Sequence, residues 1–263
     1  MALFVAEAHC GRGVFSDRAI RTGEVIERAP VIRVPEAEVA ALAGTALYDY
    51  WFTWGATDKD AGLAAGFGSI YNHSSAANVA YRKDAAAHEL EFVAQRDIAA
   101  GEELRIDYTG GGDASAPLWF PEQGVPAPTA RPERAMAREA SVHVGSSGTR
   151  GRGVFANRDF AAGDEIEVAP VVVVPGRDWA GVSRTVLDNY CYAWGDRFEH
   201  AAFALGCGSF YNHADAPSAR FARDHDHRLI GFTAVRAISA GSEITIDYRS
   251  SYGEWFPLWF DAR

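Results

Sequence analysis

Short runs of β-branched and apolar residues, separated by glycine turns, dominate the hydrophobic pattern of this chain. Residues 25–35 (VIERAPVIRVP) and 165–175 (EIEVAPVVVVP) are rich in valine and isoleucine and end in proline, which is typical of β-strands. A motif with an apolar residue three positions before a glycine occurs at 20–23, 98–101, 160–163 and 238–241. Glycine allows the positive φ of a tight turn, so two such turns in each half predict hairpins and a sheet-rich fold.

Helical patterns are few and short. In the first half, helical stretches are expected around residues 36–43 and 63–71, with counterparts in the second half. Alternation of apolar and polar residues in EELRIDY and SEITIDY predicts a last strand that ends on Tyr108 or Tyr248. A short helix is also expected near residues 132–140, where alanine, arginine, glutamate and methionine predominate.

The chain repeats itself without a gap at a spacing of 140 positions (151 − 11 = 140). The repeated segments are GRGVF at 11–15 and 151–155, GSIYNHS and GSFYNHA at 68–74 and 208–214, IDY at 106–108 and 246–248, and PLWF at 117–120 and 257–260. Such a fixed period indicates two copies of one structural unit. We therefore expect a first domain at 1–123, a proline-rich linker at 124–140 and a second domain at 141–263.

Composition and charge narrow the function classes. With 48% hydrophobic and 23% charged residues, the chain is expected to be soluble and globular, and no apolar run is long enough to span a membrane. The net charge of −10 argues against wrapping of nucleic acid and suits a cationic substrate, although acidity is also common among cytosolic proteins. The start of the chain has no basic flank typical of a secretory signal, and the three cysteines form no cluster. A cytoplasmic protein without a zinc site or disulfide framework is expected.

Four features carry the candidate chemistry: a Gly-x-Gly segment, an Asn-His dipeptide after a glycine-rich stretch, a strand ending in Asp-Tyr, and an aromatic cluster. Taken singly, each is typical of a turn, a satisfied polar pair or core packing. Residues 224–227 (DHDH) have side chains of the types that bind metal ions. Their position at a predicted hairpin tip favours a solvated polar loop, and no metal site is expected.

In their order and spacing these features resemble the SET-domain lysine methyltransferases, and the compact units resemble the small viral members in particular. The resemblance rests on Gly11-Arg12-Gly13, on NHSSAAN at 72–78 and on GEELRIDY at 101–108. It implies two tandem SET domains of the β-clip fold. It also implies S-adenosylmethionine as the methyl donor and a lysine-containing protein as the substrate.

The resemblance also assigns roles to residues. Cofactor binding, through the backbone around these segments, is implied for Gly11, Arg12, Gly13, Asn72, His73, Gly151, Arg152, Gly153, Asn212 and His213. Tyr108 and Tyr248 are the implied catalytic tyrosines that line the methyl-transfer pore. Aromatic walls of a substrate channel are expected from Tyr50, Trp51, Trp54, Tyr190, Trp194 and Tyr252, although core packing is an equal alternative for the aromatic cluster.

These residue types suit the reaction. A lysine amine has a solution pKa near ~10.4, so it must lose its proton before it can attack a methyl group. A narrow aromatic channel favours the neutral amine by desolvation, and a nearby sulfonium charge favours it by repulsion. Alignment of amine, methyl and sulfur then supplies most of the rate acceleration.

The two copies depart from the SET-domain motifs at different positions. The second copy has Ala214 and Ser218 where the first has Ser74 and Asn78, which weakens the expectation of a cofactor site there. It keeps Tyr252, whereas the first copy has a glycine-rich stretch after Tyr108. A monomeric chain acting as an intramolecular pseudo-dimer is expected, because the small viral enzymes are homodimers. The alternatives are a non-catalytic SET-fold protein that binds peptide or cofactor, and methylation of a small-molecule amine.

Overall fold

The computed structural model describes residues 3–8, 10–109 and 141–251 and confirms a mainly β fold. By spatial proximity, the chain divides into two units. The first comprises residues 1–32 and 63–139, and the second comprises residues 33–62 and 140–263. The second unit thus contains a segment of the first sequence copy. The domain boundaries drawn from the repeat stay a prediction.

Strands account for most of the described elements. In the first copy they are β1 (Leu3–Ala8), β2 (Gly11–Ser16), β3 (Val25–Val34), β4 (Trp51–Trp54), β5 (Asp60–Ala64), β6 (Asn72–His73), β7 (Val79–Asp84), β8 (Glu89–Ala94) and β9 (Glu103–Ile106). In the second copy they are β10 (Val142–Ser146), β11 (Arg152–Ala156), β12 (Glu165–Val174), β13 (Cys191–Trp194), β14 (His200–Ala204), β15 (Asn212–His213), β16 (Ala219–Asp224), β17 (Leu229–Ala234) and β18 (Glu243–Ile246).

Helices are short throughout the described ranges. The α-helices are α1 (Glu36–Val39) and α2 (Trp179–Val182). The 3-10 turns are Ala40–Leu42, Ala46–Tyr50, Gly68–Ile70, Gly148–Arg150, Gly176–Asp178, Val186–Tyr190, Gly208–Phe210 and Tyr248–Ser251. Within those ranges, no helix has the length and apolar character needed to cross a membrane.

The first unit contains two sheet assemblies. One is a four-stranded sheet in the order β1-β2-β9-β6, in which β6 and β9 run parallel. In the other, β8 lies between β3 and β7, and both pairings are antiparallel. A register shift between Val25 and Glu27 interrupts the β3–β8 ladder, as a β-bulge does. The bulge thus comes directly before Glu27.

The second unit repeats this arrangement. It has a four-stranded sheet in the order β10-β11-β18-β15, with β15 and β18 parallel, and a five-stranded sheet in the order β13-β14-β12-β17-β16. A register shift between Glu165 and Glu167 lies at the point that corresponds to the bulge in β3. The two sequence copies therefore share their strand orders, but their first hairpins differ in register: Gly13 lies opposite Ala6 in the first copy, whereas Gly153 lies opposite Gly145, which corresponds to Val5, in the second.

The predicted glycine turns are confirmed. Gly23, Gly101, Gly163 and Gly241 all have positive φ, between 76° and 93°. Within the first unit, the apolar residues that open the two turn motifs also meet each other. Ile20 and Ile98 exchange two backbone hydrogen bonds of 2.9 Å.

One predicted helix is wrong, and the predicted last strands are present but end earlier than expected. Residues 63–71 complete a strand and then form only a 3-10 turn, because Gly66 has a φ of +65° and the Phe67 N–H bonds a glutamate carboxylate instead of a helical carbonyl. The last strands end at Ile106 and Ile246, two residues before the tyrosines. The expected helix near residues 132–140 lies outside the described residues.

Two reciprocal hydrogen bonds join matching segments within the second unit. Glu38 Oε2 accepts from the backbone N–H of Val186 at 2.7 Å, and Asp178 Oδ2 accepts from that of Ala46 at 2.8 Å. Glu38 and Asp178 correspond in the repeat, as do Ala46 and Val186. In each case a carboxylate satisfies an N–H at the start of a 3-10 turn. This reciprocity is the pattern that a two-fold symmetric contact produces.

Removing either carboxylate should destabilise the protein. We expect Glu38→Ala and Asp178→Ala each to lower the free energy of unfolding by about 1 kcal/mol, the usual cost of losing a cap at a turn start. Urea unfolding of the full chain measures this. Glu36→Ala, which removes an exposed carboxylate of the same helix paired with Lys59, is the control. An equal loss for the control would contradict the assignment.

Candidate active site

The side chain of Asn72 joins two segments of the first copy. Its amide nitrogen donates to the carbonyl oxygen of Arg12 at 3.2 Å and to Oε1 of Glu103 at 2.7 Å. The Gly-x-Gly segment is thereby fastened to the final strand. The parallel pairing of β6 with β9 brings these groups into reach.

Tyr108 is fixed at both its backbone and its hydroxyl. Its N–H donates to Nδ1 of His73 at 3.1 Å, and its hydroxyl donates to the carbonyl oxygen of Tyr71 at 2.7 Å. The His73 ring also lies beside the Tyr108 ring, with 5.3 Å between centroids. Tyr108 remains 41% exposed. The protein therefore sets the orientation of a tyrosine that remains partly exposed.

The second copy reproduces this network. Its bonds are Asn212 Nδ2 to the Arg152 carbonyl (3.1 Å) and to Glu243 Oε1 (2.7 Å), the Tyr248 N–H to His213 Nδ1 (3.2 Å), and the Tyr248 hydroxyl to the Tyr211 carbonyl (2.7 Å). Burial, together with the neighbouring Tyr190, raises the pKa of Tyr248 to about 12. Its phenol is therefore protonated at neutral pH and able to donate.

Two side-chain nitrogen atoms of the first Asn-His pair bond to the protein itself. Asn72 uses its amide nitrogen on Arg12 and Glu103, and His73 uses Nδ1 on Tyr108. Through these atoms the pair organises the site. The backbone contact with a cofactor that the resemblance implies for this pair stays a prediction.

The two glycines of each Gly-x-Gly segment have different physical roles. Gly11 and Gly151 have φ values of +88° and +77°, and a Cβ on either would meet none of the described atoms within 4 Å. The Cβ side of each of these glycines is therefore clear of the described atoms. A Cβ on Gly13 would instead collide with the carboxylate of Glu103. The first glycine supplies the positive φ of the turn, and the second allows close packing against the final strand.

A glutamate carboxyl group supports the turn that leads into the Asn-His strand. Oε1 of Glu27 accepts from the Phe67 N–H at 2.7 Å, and Oε2 accepts from the Tyr71 hydroxyl at 3.3 Å. A Cβ on Gly66 would collide with this carboxyl group. Burial raises the pKa of Glu27 to about 7, against the lowering effect of its two hydrogen bonds. Glu27 thus holds both ends of the segment whose Tyr71 carbonyl receives the Tyr108 hydroxyl.

Glu167 does the same in the second copy. It accepts from the Cys207 N–H at 2.6 Å and from the Tyr211 hydroxyl at 3.1 Å. Burial raises its pKa to about 7 as well. These two glutamates were not among the residues singled out from the sequence. Their signal was available, because both precede an Ala-Pro pair by two positions in corresponding β-rich runs.

The predicted channel residues differ in position. Tyr190 lies near Tyr248 and meets Phe210 edge-on, with 5.7 Å between centroids. Trp54 and Trp194 are only 1% and 4% exposed, which favours the core-packing alternative for both. Tyr50 and Trp51 are partly buried where the 3-10 turn Ala46–Tyr50 meets β4, and Tyr252 lies outside the described residues. A channel role for these aromatic residues stays a prediction.

The hairpin tip with the four consecutive acidic and histidine residues 224–227 has a local hydrogen bond of its own. His227 Nδ1 lies 2.9 Å from Oδ2 of Asp224 in the turn between β16 and β17. Within the described ranges, no three histidine, cysteine or acidic side chains are grouped so that they could hold a metal ion.

The SET domain model matches the chain twice, at residues 11–109 and 151–249. The chain belongs to the SET domain family. Both matches begin at the first glycine of a Gly-x-Gly segment and end one residue after a candidate tyrosine. The geometry described above therefore lies inside the two SET domains.

The chain is also similar to individual proteins over part of its length. A histone-lysine N-methyltransferase of Schizosaccharomyces pombe, specific for lysine 37 of histone H3, is 33% identical over 113 residues, which are 43% of this chain and 71% of that protein. A humanized mutant of the Chaetomium thermophilum Polycomb Repressive Complex 2, solved with an inhibitor, matches 42% of this chain and 15% of its own at 19% identity and a TM-score of 0.37. A second structure of this complex, bound to S-adenosylmethionine, matches 43% of this chain and 15% of its own at 19% identity and a TM-score of 0.38.

Proposed function

We propose that this SET protein transfers a methyl group from S-adenosylmethionine to the side-chain amine of a lysine in a protein substrate. The observation that carries the proposal is the Tyr108 hydroxyl. The hydroxyl is bonded to the Tyr71 carbonyl, its residue is 41% exposed, and it stands beside an Asn-His strand that Asn72 fastens to the Gly-x-Gly segment. Family membership supplies the reaction class.

The residues present fit the cofactor. A Cβ placed on Gly11 would meet none of the described atoms within 4 Å, and Asn72 fixes the carbonyl of Arg12 next to it. The backbone of residues 11–13 and 72–73 would hold the cofactor. When bound, S-adenosylmethionine supplies an electrophilic methyl group on a positively charged sulfur.

The chain's own contribution is positioning and selection of the neutral amine. The oxygen atoms of the Tyr108 hydroxyl and the Tyr71 carbonyl can accept weak C–H···O contacts or an amine N–H at the reaction centre. Since the Tyr108 proton is donated to the Tyr71 carbonyl, the phenol oxygen would meet a substrate as a hydrogen-bond acceptor. Aromatic surroundings disfavour the charged form of the incoming lysine by desolvation.

A histone tail is the substrate we favour. The Schizosaccharomyces pombe relative is named for a lysine of histone H3, and a chain of net charge −10 attracts a basic peptide. We also propose that the two copies form an intramolecular pseudo-dimer, which the reciprocal Glu38 and Asp178 bonds support. A cytoplasmic location remains the expectation from the sequence.

The test is methyl transfer itself. The full chain is incubated with radiolabelled S-adenosylmethionine and a histone mixture, and separately with a cell lysate, and the labelled residue is then mapped. We expect label on lysine, and the Tyr108→Phe/Tyr248→Phe double variant as control should leave the substrate almost unlabelled. Label on a small molecule would favour the small-amine alternative. Cofactor binding without transfer to any pool would favour the non-catalytic alternative, for which the departures in the second copy are the specific support.

A further inference from the structure

The carbonyl oxygen that receives the Tyr108 hydroxyl belongs to a residue whose own side chain is held at its far end. The Tyr71 carbonyl accepts from Tyr108 at 2.7 Å, and the Tyr71 hydroxyl donates to Oε2 of Glu27 at 3.3 Å. The Tyr71 ring is buried and stacked on Phe92, with 4.6 Å between centroids and 10° between planes. Tyr71 therefore links the Glu27 carboxyl group to the Tyr108 hydroxyl.

The other oxygen of the same carboxyl group holds the turn before Tyr71. Oε1 of Glu27 accepts from the Phe67 N–H at 2.7 Å, directly before the 3-10 turn Gly68–Ile70. A Cβ on Gly66 would collide with this oxygen, so the backbone lies close against the carboxyl group. The two oxygens of one side chain thus fix the residues on either side of the turn.

The second copy contains the same arrangement. The Tyr211 hydroxyl donates to Oε2 of Glu167 at 3.1 Å, and the Tyr211 ring is stacked on Phe232 with 4.3 Å between centroids. The Tyr211 carbonyl accepts from the Tyr248 hydroxyl at 2.7 Å. The residue that donates its N–H to Glu167 is a cysteine where the first copy has a phenylalanine. The bond is kept although the side chain differs, because it is made through the backbone.

The link from Glu27 to Tyr108 is positional and carries no proton. It enters Tyr71 at the hydroxyl and leaves at the backbone carbonyl, so these bonds form no continuous path from the carboxyl group to the phenol. Burial raises the pKa of Glu27 to about 7. The carboxyl group can bond the Tyr71 hydroxyl in either state, as an acceptor when ionised and as a donor when protonated. What Glu27 passes on is the place of the carbonyl, and with it the direction of the Tyr108 hydroxyl.

We propose that Glu27 and Tyr71 are positioning residues for methyl transfer, because they hold the carbonyl that directs the Tyr108 hydroxyl to the reacting amine and methyl group. This inference rests on the proposed function. The Tyr71 side chain is buried, so it influences the reaction through the backbone carbonyl. A misplacement of about 1 Å in a reacting group can cost about a hundredfold in rate, so a smaller shift of this carbonyl should cost about tenfold.

The test is a series of variants in a Tyr248→Phe chain, in which Tyr108 keeps the remaining candidate catalytic hydroxyl. Glu27→Ala removes both bonds to the carboxyl group and should lower kcat by about tenfold, whereas Tyr71→Phe removes one bond and should lower it by about fivefold. In Glu27→Gln the amide can accept from one partner and donate to the other, so this variant should restore most of the rate. The KM for the labelled substrate and the cofactor affinity should change by less than about twofold.

A double-mutant cycle separates positioning from loss of folded protein. Each rate is divided by the amount of chain that binds S-adenosylmethionine in a calorimetric titration. When Tyr108→Phe is also present, Glu27→Ala and Tyr71→Phe should change the residual rate by less than about twofold, since the hydroxyl that they position is gone. Tyr81→Phe, which removes a hydroxyl from another tyrosine packed on Phe92, is the control and should leave kcat unchanged. If Glu27→Ala does not fold, Tyr71→Phe carries the test.

The carbon resonance of the Tyr108 Cζ gives a readout that does not depend on transfer. In a chain with 13C at this ring position, the resonance is identified by its loss in Tyr108→Phe. Glu27→Ala and Tyr71→Phe should shift it, because the hydrogen bond of its hydroxyl changes, and Tyr81→Phe should not.

The other outcomes would overturn the inference in distinguishable ways. An unchanged kcat in both Glu27→Ala and Tyr71→Phe would reject it and leave the proposed function standing. The same loss with and without the Tyr108 hydroxyl would show that these residues act through stability alone. If the Tyr248→Phe chain is inactive, Glu167→Ala and Tyr211→Phe in a Tyr108→Phe chain are judged by the same criteria. A natural chain that transfers no methyl group would reject the proposed function, and the Cζ resonance would then decide the positional link by itself.

Discussion

Replacing Tyr108 by phenylalanine is expected to reduce methyl transfer by about a hundredfold while leaving S-adenosylmethionine affinity nearly intact. The hydroxyl of Tyr108 is bonded to the Tyr71 carbonyl on a partly exposed residue, and in the proposed reaction it acts where the amine and the methyl group meet. A contact that is stronger in the transition state than in the ground state lowers turnover when it is lost. Removal of one such preorganised polar group costs on the order of 3 kcal/mol.

The second copy supplies the matched control for this experiment. Tyr248 makes the same bonds to Tyr211 and His213 as Tyr108 makes to Tyr71 and His73. If the first copy alone takes the cofactor, Tyr248→Phe should change turnover by less than about twofold. Turnover and cofactor affinity are measured separately, by initial rates at saturating cofactor and by calorimetry. Wild-type rates in both single variants and in the double variant would show that the catalytic tyrosines are wrongly assigned.

The sequence predicted those parts of the fold that depend on local chemistry. The turn glycines were found because positive φ leaves a clear signature, and Gly23, Gly101, Gly163 and Gly241 all adopt it. The β-rich run at 25–35 was found because its branched residues favour strands and Pro35 ends them. The repeat then allowed the same reasoning to be applied twice.

The failed expectations have a non-local cause. The segment at 63–71 has the composition of a helix, but the Glu27 carboxyl group, forty residues away in sequence, takes the Phe67 N–H and requires a glycine at position 66. The final strand stops at Ile106 because the next residues turn to place the Tyr108 N–H on His73. No local pattern records such contacts, since they exist only after the sheets have assembled.

In the candidate site, too, local motifs were predicted and long-range contacts were not. Motif spacing singled out Asn72, His73 and Tyr108, yet it did not reveal that Asn72 and His73 organise the site through their side chains. Glu27 was missed because a glutamate in a strand is usually a solvent-facing residue. Comparison of the two copies position by position would have found it, since the surrounding pattern recurs at Glu167.

The two supporting glutamates should make the stability of the protein fall as the pH rises towards neutrality. Burial raises the pKa of Glu27 and of Glu167 from 4.5 to about 7. Between those two values the folded state holds a proton that the unfolded state has already lost, so unfolding becomes easier as the pH rises through this window. A difference of 2.5 pKa units corresponds to about 3 kcal/mol for each carboxyl group. Carboxyl groups with a lowered pKa have the opposite effect, and they act at lower pH. Asp97 is one of them, because the bond from the Thr22 N–H lowers its pKa, so its contribution to stability is lost as the pH falls.

Replacing both glutamates by glutamine should remove this dependence. In Glu27→Gln the amide oxygen can still accept from the Phe67 N–H, and the amide nitrogen can donate to the Tyr71 hydroxyl oxygen. The urea unfolding midpoint is measured at about pH 5 and about pH 8 for the natural chain and for Glu27→Gln/Glu167→Gln. The natural chain should lose more stability than the variant between these pH values, by about 3 kcal/mol for each glutamate replaced.

Glu91→Gln, a change at an exposed pair with Arg28 on the neighbouring strand, is the control and should behave like the natural chain. An identical pH dependence in the natural chain and the double glutamine variant would show that these carboxyl groups are already ionised at about pH 5, and their burial would then not be the dominant influence on them.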